Sequence, residues 1–111
     1  MIMARHAMKQ VSEIDDGREI LLSVGAVLEL SLPENAGTGF SWQLTDYAAG
    51  SLSLLKEFRS RSLGVPGEPL LHKWQFKVTI PGDSMLRLEY VRAWKSAPAR
   101  SFTLKLRARP A

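Results

Sequence analysis

The sequence predicts an all-β protein, an antiparallel sandwich of about seven short strands. Three observations carry that reading. Apolar and polar residues alternate with period two through much of the chain, the pattern of a sheet with one buried and one wet face. The alternating stretches are short and punctuated by Gly and Pro, as in sandwiches and barrels. No stretch sustains a helical period.

The strands follow in order. Arg18-Glu19-Ile20-Leu21-Leu22 is the first. Val27 to Leu32 is the second, with Leu28, Leu30 and Leu32 on one face. Phe40, Trp42 and Leu44 alternate with Ser41, Gln43 and Thr45 in the third. Leu52 to Ser60 is the fourth and the least regular. Trp74, Phe76, Val78 and Ile80 share one face of the fifth, and Lys73, Gln75, Lys77 and Thr79 the other. Leu86, Leu88 and Tyr90 define the sixth, and Phe102, Leu104 and Leu106 the seventh. Trp42 and Trp74 share the parity of their apolar neighbours, which assigns both to the core.

A chain of 111 residues suits one domain with a core of its own. That domain is expected over residues 18–108, after a flexible leader over 1–17. The leader has basic residues but no apolar run or small-residue cleavage site, unlike a signal peptide. Without an export signal the chain reads as cytoplasmic if complete, and as periplasmic or secreted if a signal peptide has been removed. No apolar run approaches membrane-spanning length, and no membrane partner is expected.

The connections differ by end. Val24-Gly25-Ala26 and Pro81-Gly82-Asp83-Ser84 carry plain turn chemistry. Glu34 to Phe40, Leu63 to Glu68 and Val91 to Lys95 are the alternate connections, and in an antiparallel sandwich these emerge together. One edge then presents Thr38 flanked by Gly37 and Gly39, a Gly/Pro loop, and an Arg92/Trp94 pair. Such an edge suits binding.

Catalysis finds little support. The histidines are His6, in the leader, and His72, at the start of the fifth strand, read as partly buried at the sheet mouth. No His with an orienting acid marks a serine triad. Asp15, Asp16 and Glu34 read as turn and solvent residues on loops rather than an acid/base pair. Two distant histidines and no cysteine give no metal spacing, and no cofactor is expected. Gly37-Thr38-Gly39 lacks the lysine and helix of a phosphate loop. Lys73, Lys77, Arg87, Lys105 and Arg107 could form a basic stripe. Lys-rich wet faces are also a common guard against edge pairing, and Tyr47, Phe58 and Tyr90 form no stacking platform. No nucleic-acid partner is expected.

The loops in their order resemble the chagasin family of inhibitors of papain-like cysteine peptidases. The first matching stretch is Asn35-Ala36-Gly37-Thr38-Gly39-Phe40, then Ser41-Trp42. The second is Gly64-Val65-Pro66-Gly67 before Trp74-Gln75-Phe76. In the third, Leu86-Arg87-Leu88-Glu89-Tyr90 leads into Arg92-Ala93-Trp94. Ala36 and Gly37 stand where the family has Pro and Thr, Pro66 where it has Gly, and Ala93 where it has Pro. Losing Pro at Ala36 and Ala93 removes pre-set backbone angles.

The resemblance implies an immunoglobulin-like sandwich, no enzymatic activity and a monomer. It also implies a reversible block of the peptidase cleft by Asn35, Gly37, Thr38, Gly39, Phe40, Gly64, Val65, Pro66, Gly67, Arg92, Ala93 and Trp94. On residue chemistry alone Gly37 and Gly39 can take positive φ and narrow the tip, and Thr38 presents a hydroxyl there. Arg and Trp are the types most enriched in binding hot spots. An adhesion or scaffolding module using the same edge is the alternative.

Overall fold

In a computed structural model the described residues form two four-stranded sheets packed as a sandwich. The structure describes residues 8–47, 50–61, 70–92 and 97–110. The strands are β1 (Met8–Ser12), β2 (Glu19–Ser23), β3 (Val27–Glu34), β4 (Phe40–Tyr47), β5 (Leu52–Ser60), β6 (Leu70–Val78), β7 (Gly82–Arg92) and β8 (Arg100–Arg109). One sheet has the order β1-β3-β6-β5 and the other β2-β8-β7-β4.

The period-two pattern packs as the sequence implies. Leu28, Leu30 and Leu32 of β3 face Trp74, Phe76 and Val78 of β6. Leu86 and Leu88 of β7 and Phe102, Leu104 and Leu106 of β8 close the core from the other sheet. Each such side chain contributes about 1.5–3 kcal/mol by leaving water. Trp42 and Trp74 are both buried.

Three expectations change. The stretch assigned to a flexible leader holds β1, which pairs parallel with β3 and buries Val11. A 3-10 turn at Glu13–Asp15 follows. Charged and polar residues dominate that segment, so a strand with a single buried residue leaves no periodic signal. The sheets are consequently mixed: β1–β3 and β2–β8 are parallel pairs. Finally, β6 ends at Val78, and Ile80 is half exposed. The chain turns there toward Gly82, which adopts φ +128°.

The irregular fourth predicted strand has a specific cause. Leu54 pairs with Phe76 and Lys56 with Gln75, so Leu55 bulges out of register in β5. Every residue after a bulge changes face. Leu52 and Leu54 share the inner face, and beyond the bulge Glu57 and Arg59 take it, opposite Trp74 and His72. Phe58 is thereby turned outward, under the ammonium of Lys56. A second bulge lies between Leu44 and Asp46 of β4. It turns Tyr47 inward against Phe76. Both bulges lie on edge strands, where twist discourages pairing with another chain.

Candidate functional site

Strand direction gathers the loop-bearing edge. Glu34 pairs with Leu70, Ser60 with Leu71, Phe40 with Arg92, and Tyr90 with Arg100. These pairs place the β3–β4, β5–β6 and β7–β8 connections at one end. The β1–β2 connection runs on the same side, tied there by Gly17 N–H to Thr103 O and by Thr103 N–H to Asp16 Oδ1. Asn35, Gly37, Thr38, Gly39, Phe40 and Arg92 belong to this edge. Gly64, Val65, Pro66, Gly67, Ala93 and Trp94 lie outside the described residues.

The first loop is a 3-10 turn at Ala36–Thr38. Asn35 organises it: its carbonyl accepts from Thr38 N–H at 3.1 Å and from the Thr38 hydroxyl at 2.8 Å. Its side-chain Oδ1 accepts from Gly37 N–H at 3.2 Å, and its own N–H donates to the Tyr90 hydroxyl at 3.2 Å. Phe40 N–H in turn donates to Thr38 Oγ1 at 3.3 Å. The Thr38 hydroxyl therefore works inside the loop, where the sequence suggested that it is presented to a partner. Of the two flanking glycines only Gly39 has positive φ, at +78°. Gly37 sits in the 3-10 turn, which any residue can adopt. Asn35, Gly37, Thr38 and Gly39 are all exposed, so the tip is braced from within and open outward.

Under the tip runs a ladder of rings and cations. The Arg92 guanidinium lies 4.3 Å above the Phe40 ring. Phe40 stacks on Tyr90 at 5.2 Å, and Tyr90 meets Trp42 at 4.9 Å. Arg100 covers the other end, 5.5 Å from the Trp42 ring. Cation–π contacts of this kind contribute about 0.5–2 kcal/mol each. The ladder makes one body of the roots of the first and third loops.

The roots of the first and second loops are joined by a buried polar cluster that sequence reasoning missed. Glu34 continues the inward parity of Leu28, Leu30 and Leu32, and is 4% exposed. Its Oε2 accepts from Trp42 N–H at 2.7 Å, and its Oε1 accepts from Arg59 Nε at 2.8 Å. His72 is 1% exposed, stacked on Trp74 at 3.9 Å. Its Nδ1 lies 2.6 Å from Glu34 Oε2, and its Nε2 lies 2.7 Å from Glu57 Oε2. Glu34 is therefore no solvent residue on a loop, and His72 is wholly enclosed. The adjacent apolar pair Leu54-Leu55 coincides with the bulge that turns Glu57 and Arg59 inward, but such a pair does not by itself reveal a bulge.

Burial opposes ionisation of Glu34. Arg59, the Trp42 N–H and His72 together outweigh it and hold the carboxyl below the ordinary glutamate range. Asp15 is held low as well, first by the Ser12 N–H. A depressed carboxyl pKa contributes stability that is present above the unfolded-chain value and lost as pH falls through the folded one. Thermal stability should thus hold near neutrality and drop on acidification below the ordinary carboxyl range. Unfolding temperatures across an acid series would check this. Glu34→Gln should give a flatter curve, and an equally steep one would remove Glu34 from the explanation.

Comparisons with known proteins agree with the fold. The family described as Chagasin family peptidase inhibitor I42 matches residues 22–106. Amoebiasin-2 of Entamoeba histolytica is 26% identical over 102 residues, covering 87% of this chain and 82% of that protein. The crystal structure of the cysteine protease inhibitor EhICP2 from Entamoeba histolytica superposes with a TM-score of 0.85 at 23% identity. It covers 96% of this chain and 100% of that one. The structure of PbICP-C, solved in complex with falcipain-2, has the same fold at 19% identity and a TM-score of 0.57, covering 100% and 95%.

Proposed function

The chain belongs to the chagasin family of peptidase inhibitors, and from that premise we propose that it inhibits papain-like cysteine peptidases by seating its loop-bearing end across the active-site cleft. It is an inhibitor of cysteine peptidases and not an enzyme. The first loop enters the cleft as a wedge, and the second and third loops flank it. Binding is reversible and needs no cofactor.

The first loop carries this reading. An exposed tip that already holds its internal hydrogen bonds loses little conformational entropy on docking. That offsets the missing proline at Ala36. A tight 3-10 turn also denies the peptidase the extended backbone that cleavage needs, so the wedge is a poor substrate. The hydroxyl of Thr38 serves the wedge by fixing its shape.

The test is a titration into papain with a fluorogenic substrate. Reversible loss of activity is expected, with trypsin unaffected and the inhibitor recovered intact. No effect at micromolar inhibitor, or progressive cleavage between Asn35 and Phe40, would refute the proposal.

Two substitutions locate the binding energy. Trp94→Ala removes a large aromatic two residues after Arg92 in the sequence, and should weaken inhibition by about 2 kcal/mol, roughly 30-fold. Unchanged affinity in a folded variant would take the third loop out of the interface. Thr38→Ala removes one donor and one acceptor within the tip, and should cost about 1 kcal/mol of binding. Here the inhibition constant is the readout, with amide exchange at Gly37 and Phe40 expected to rise alongside it.

A further inference from the structure

His72 is buried beneath the first loop, and each of its ring nitrogens faces a carboxylate oxygen. We infer that His72 is a positioning residue of the inhibitory edge: it is held doubly protonated between Glu34 and Glu57, and its second ring proton clamps the root of the first loop to the root of the second.

Counting protons decides where the second one sits. A neutral imidazole has one N–H and one bare lone pair, and an ionised carboxylate only accepts. A bare nitrogen 2.7 Å from a carboxylate oxygen sets two lone pairs against each other. The contacts at 2.6 and 2.7 Å therefore need two protons among three groups. Glu34 already accepts from Arg59 and from the Trp42 N–H, the environment of an ionised carboxylate. The Glu57 side chain is 47% exposed, so water solvates its charge. The imidazole is left as the group that carries both protons.

Among the described residues, the charged groups in contact with the ring or its carboxylate partners are Glu34 from β3 and Glu57 and Arg59 from β5. From its own strand β6 it meets the Trp74 ring. From β4 the Trp42 N–H reaches the cluster through Glu34. Lys73 is directed to the other face, toward Glu29. These two carboxylates, one guanidinium and one imidazolium balance one another in charge.

Geometry makes this a clamp. Glu34 ends β3 and binds the backbone of β4 across the first loop. Glu57 and Arg59 are among the last residues of β5, before the second loop. His72 opens β6 as that loop closes. When the ring gives up its second proton as pH rises, one carboxylate loses its donor and the two roots part. The effect on inhibition rests on the three-loop reading proposed above; the protonation of the ring does not.

The experiment follows the ring and the loop together by NMR on the intact 15N-labelled protein, from about pH 5 to about pH 9. Both ring nitrogens of His72 should show the protonated signature at the acid end. The Gly39 and Trp42 amides should shift with the same midpoint as the ring. His6→Gln removes the other histidine from the spectrum. Glu57→Gln is the discriminating variant, because an amide can donate to a bare Nε2. Its ring can lose the second proton and keep both contacts, so its loop amides should stop following the ring. Against papain, the ratio of wild-type to Glu57→Gln inhibition constants cancels the peptidase's own titration. The wild type should lose ground by about fivefold toward the alkaline end, an energy of the size of one hydrogen bond.

A singly protonated ring at the acid end overturns the inference. So do loop amides that ignore the ring, or a Glu57→Gln protein that titrates like wild type. If the spectra behave as expected and neither protein inhibits papain, the clamp stands and the three-loop reading fails.

Discussion

Replacing Glu34 with alanine is expected to destabilise the sandwich by about 3–5 kcal/mol, the range for breaking a buried ion pair by removing one partner. The carboxylate serves three donors at once: the Arg59 guanidinium, the Trp42 N–H and the His72 ring. Alanine strands the Trp42 N–H and one ring nitrogen in a site that water does not reach. A loss of this size should lower the unfolding temperature by more than about 10 °C. Glu13→Ala is the control, because Glu13 meets Arg100 at the surface at 3.4 Å, where such pairs contribute no more than about 1 kcal/mol. Calorimetry on both variants reads the difference directly. A Glu34→Ala protein that melts within a few degrees of wild type would show that the cluster is relieved by rearrangement.

Gly39→Val should cripple inhibition more than any change at Thr38. Gly39 closes the first loop at φ +78°, a region that a β-branched residue enters only under strain. That strain is about 1–3 kcal/mol. The protein either bears it or relieves it by moving Phe40, the next residue, which carries Arg92 and Tyr90 with it. In either case the tip leaves its braced shape, and inhibition should fall by up to about 3 kcal/mol, roughly 100-fold. Gly37→Ala is the comparison. A methyl group there meets Asn35 Oδ1 at an ordinary 3.5 Å, and the backbone is not left-handed. It should fold and inhibit nearly as well as wild type. Equal losses at the two glycines would mean that the narrowness of the tip matters and its backbone hand does not.

The core was legible because period-two alternation is a direct record of burial. Leu28, Leu30 and Leu32, or Phe102, Leu104 and Leu106, could hardly face anywhere else. The polar cluster was hidden for the same reason. Glu34 and His72 keep the inward parity of their strands, but a charged residue at a strand end reads as the edge of a loop. Glu57 and Arg59 keep the wrong parity until the Leu55 bulge is known, and a bulge is a property of pairing between strands. Strand β1 was missed because its single buried residue, Val11, makes no pattern by itself. In the first loop the sequence located the tip residues. It could not reveal that the Thr38 hydroxyl is spent on Asn35, because that depends on the chain closing into a 3-10 turn.

The stack of Arg92 on Phe40 and of Phe40 on Tyr90 has a bearing on how the specificity of such an inhibitor can diverge. Phe40 and Arg92 occupy directly opposed positions on β4 and β7, so a new side chain at either one reshapes the seat of the other. Affinity changes at these two sites should not add, since residues in contact couple by about 0.5–3 kcal/mol. A lineage adapting its first loop to a new peptidase would have to change its third loop in step. The two loops are inherited, in effect, as a single trait.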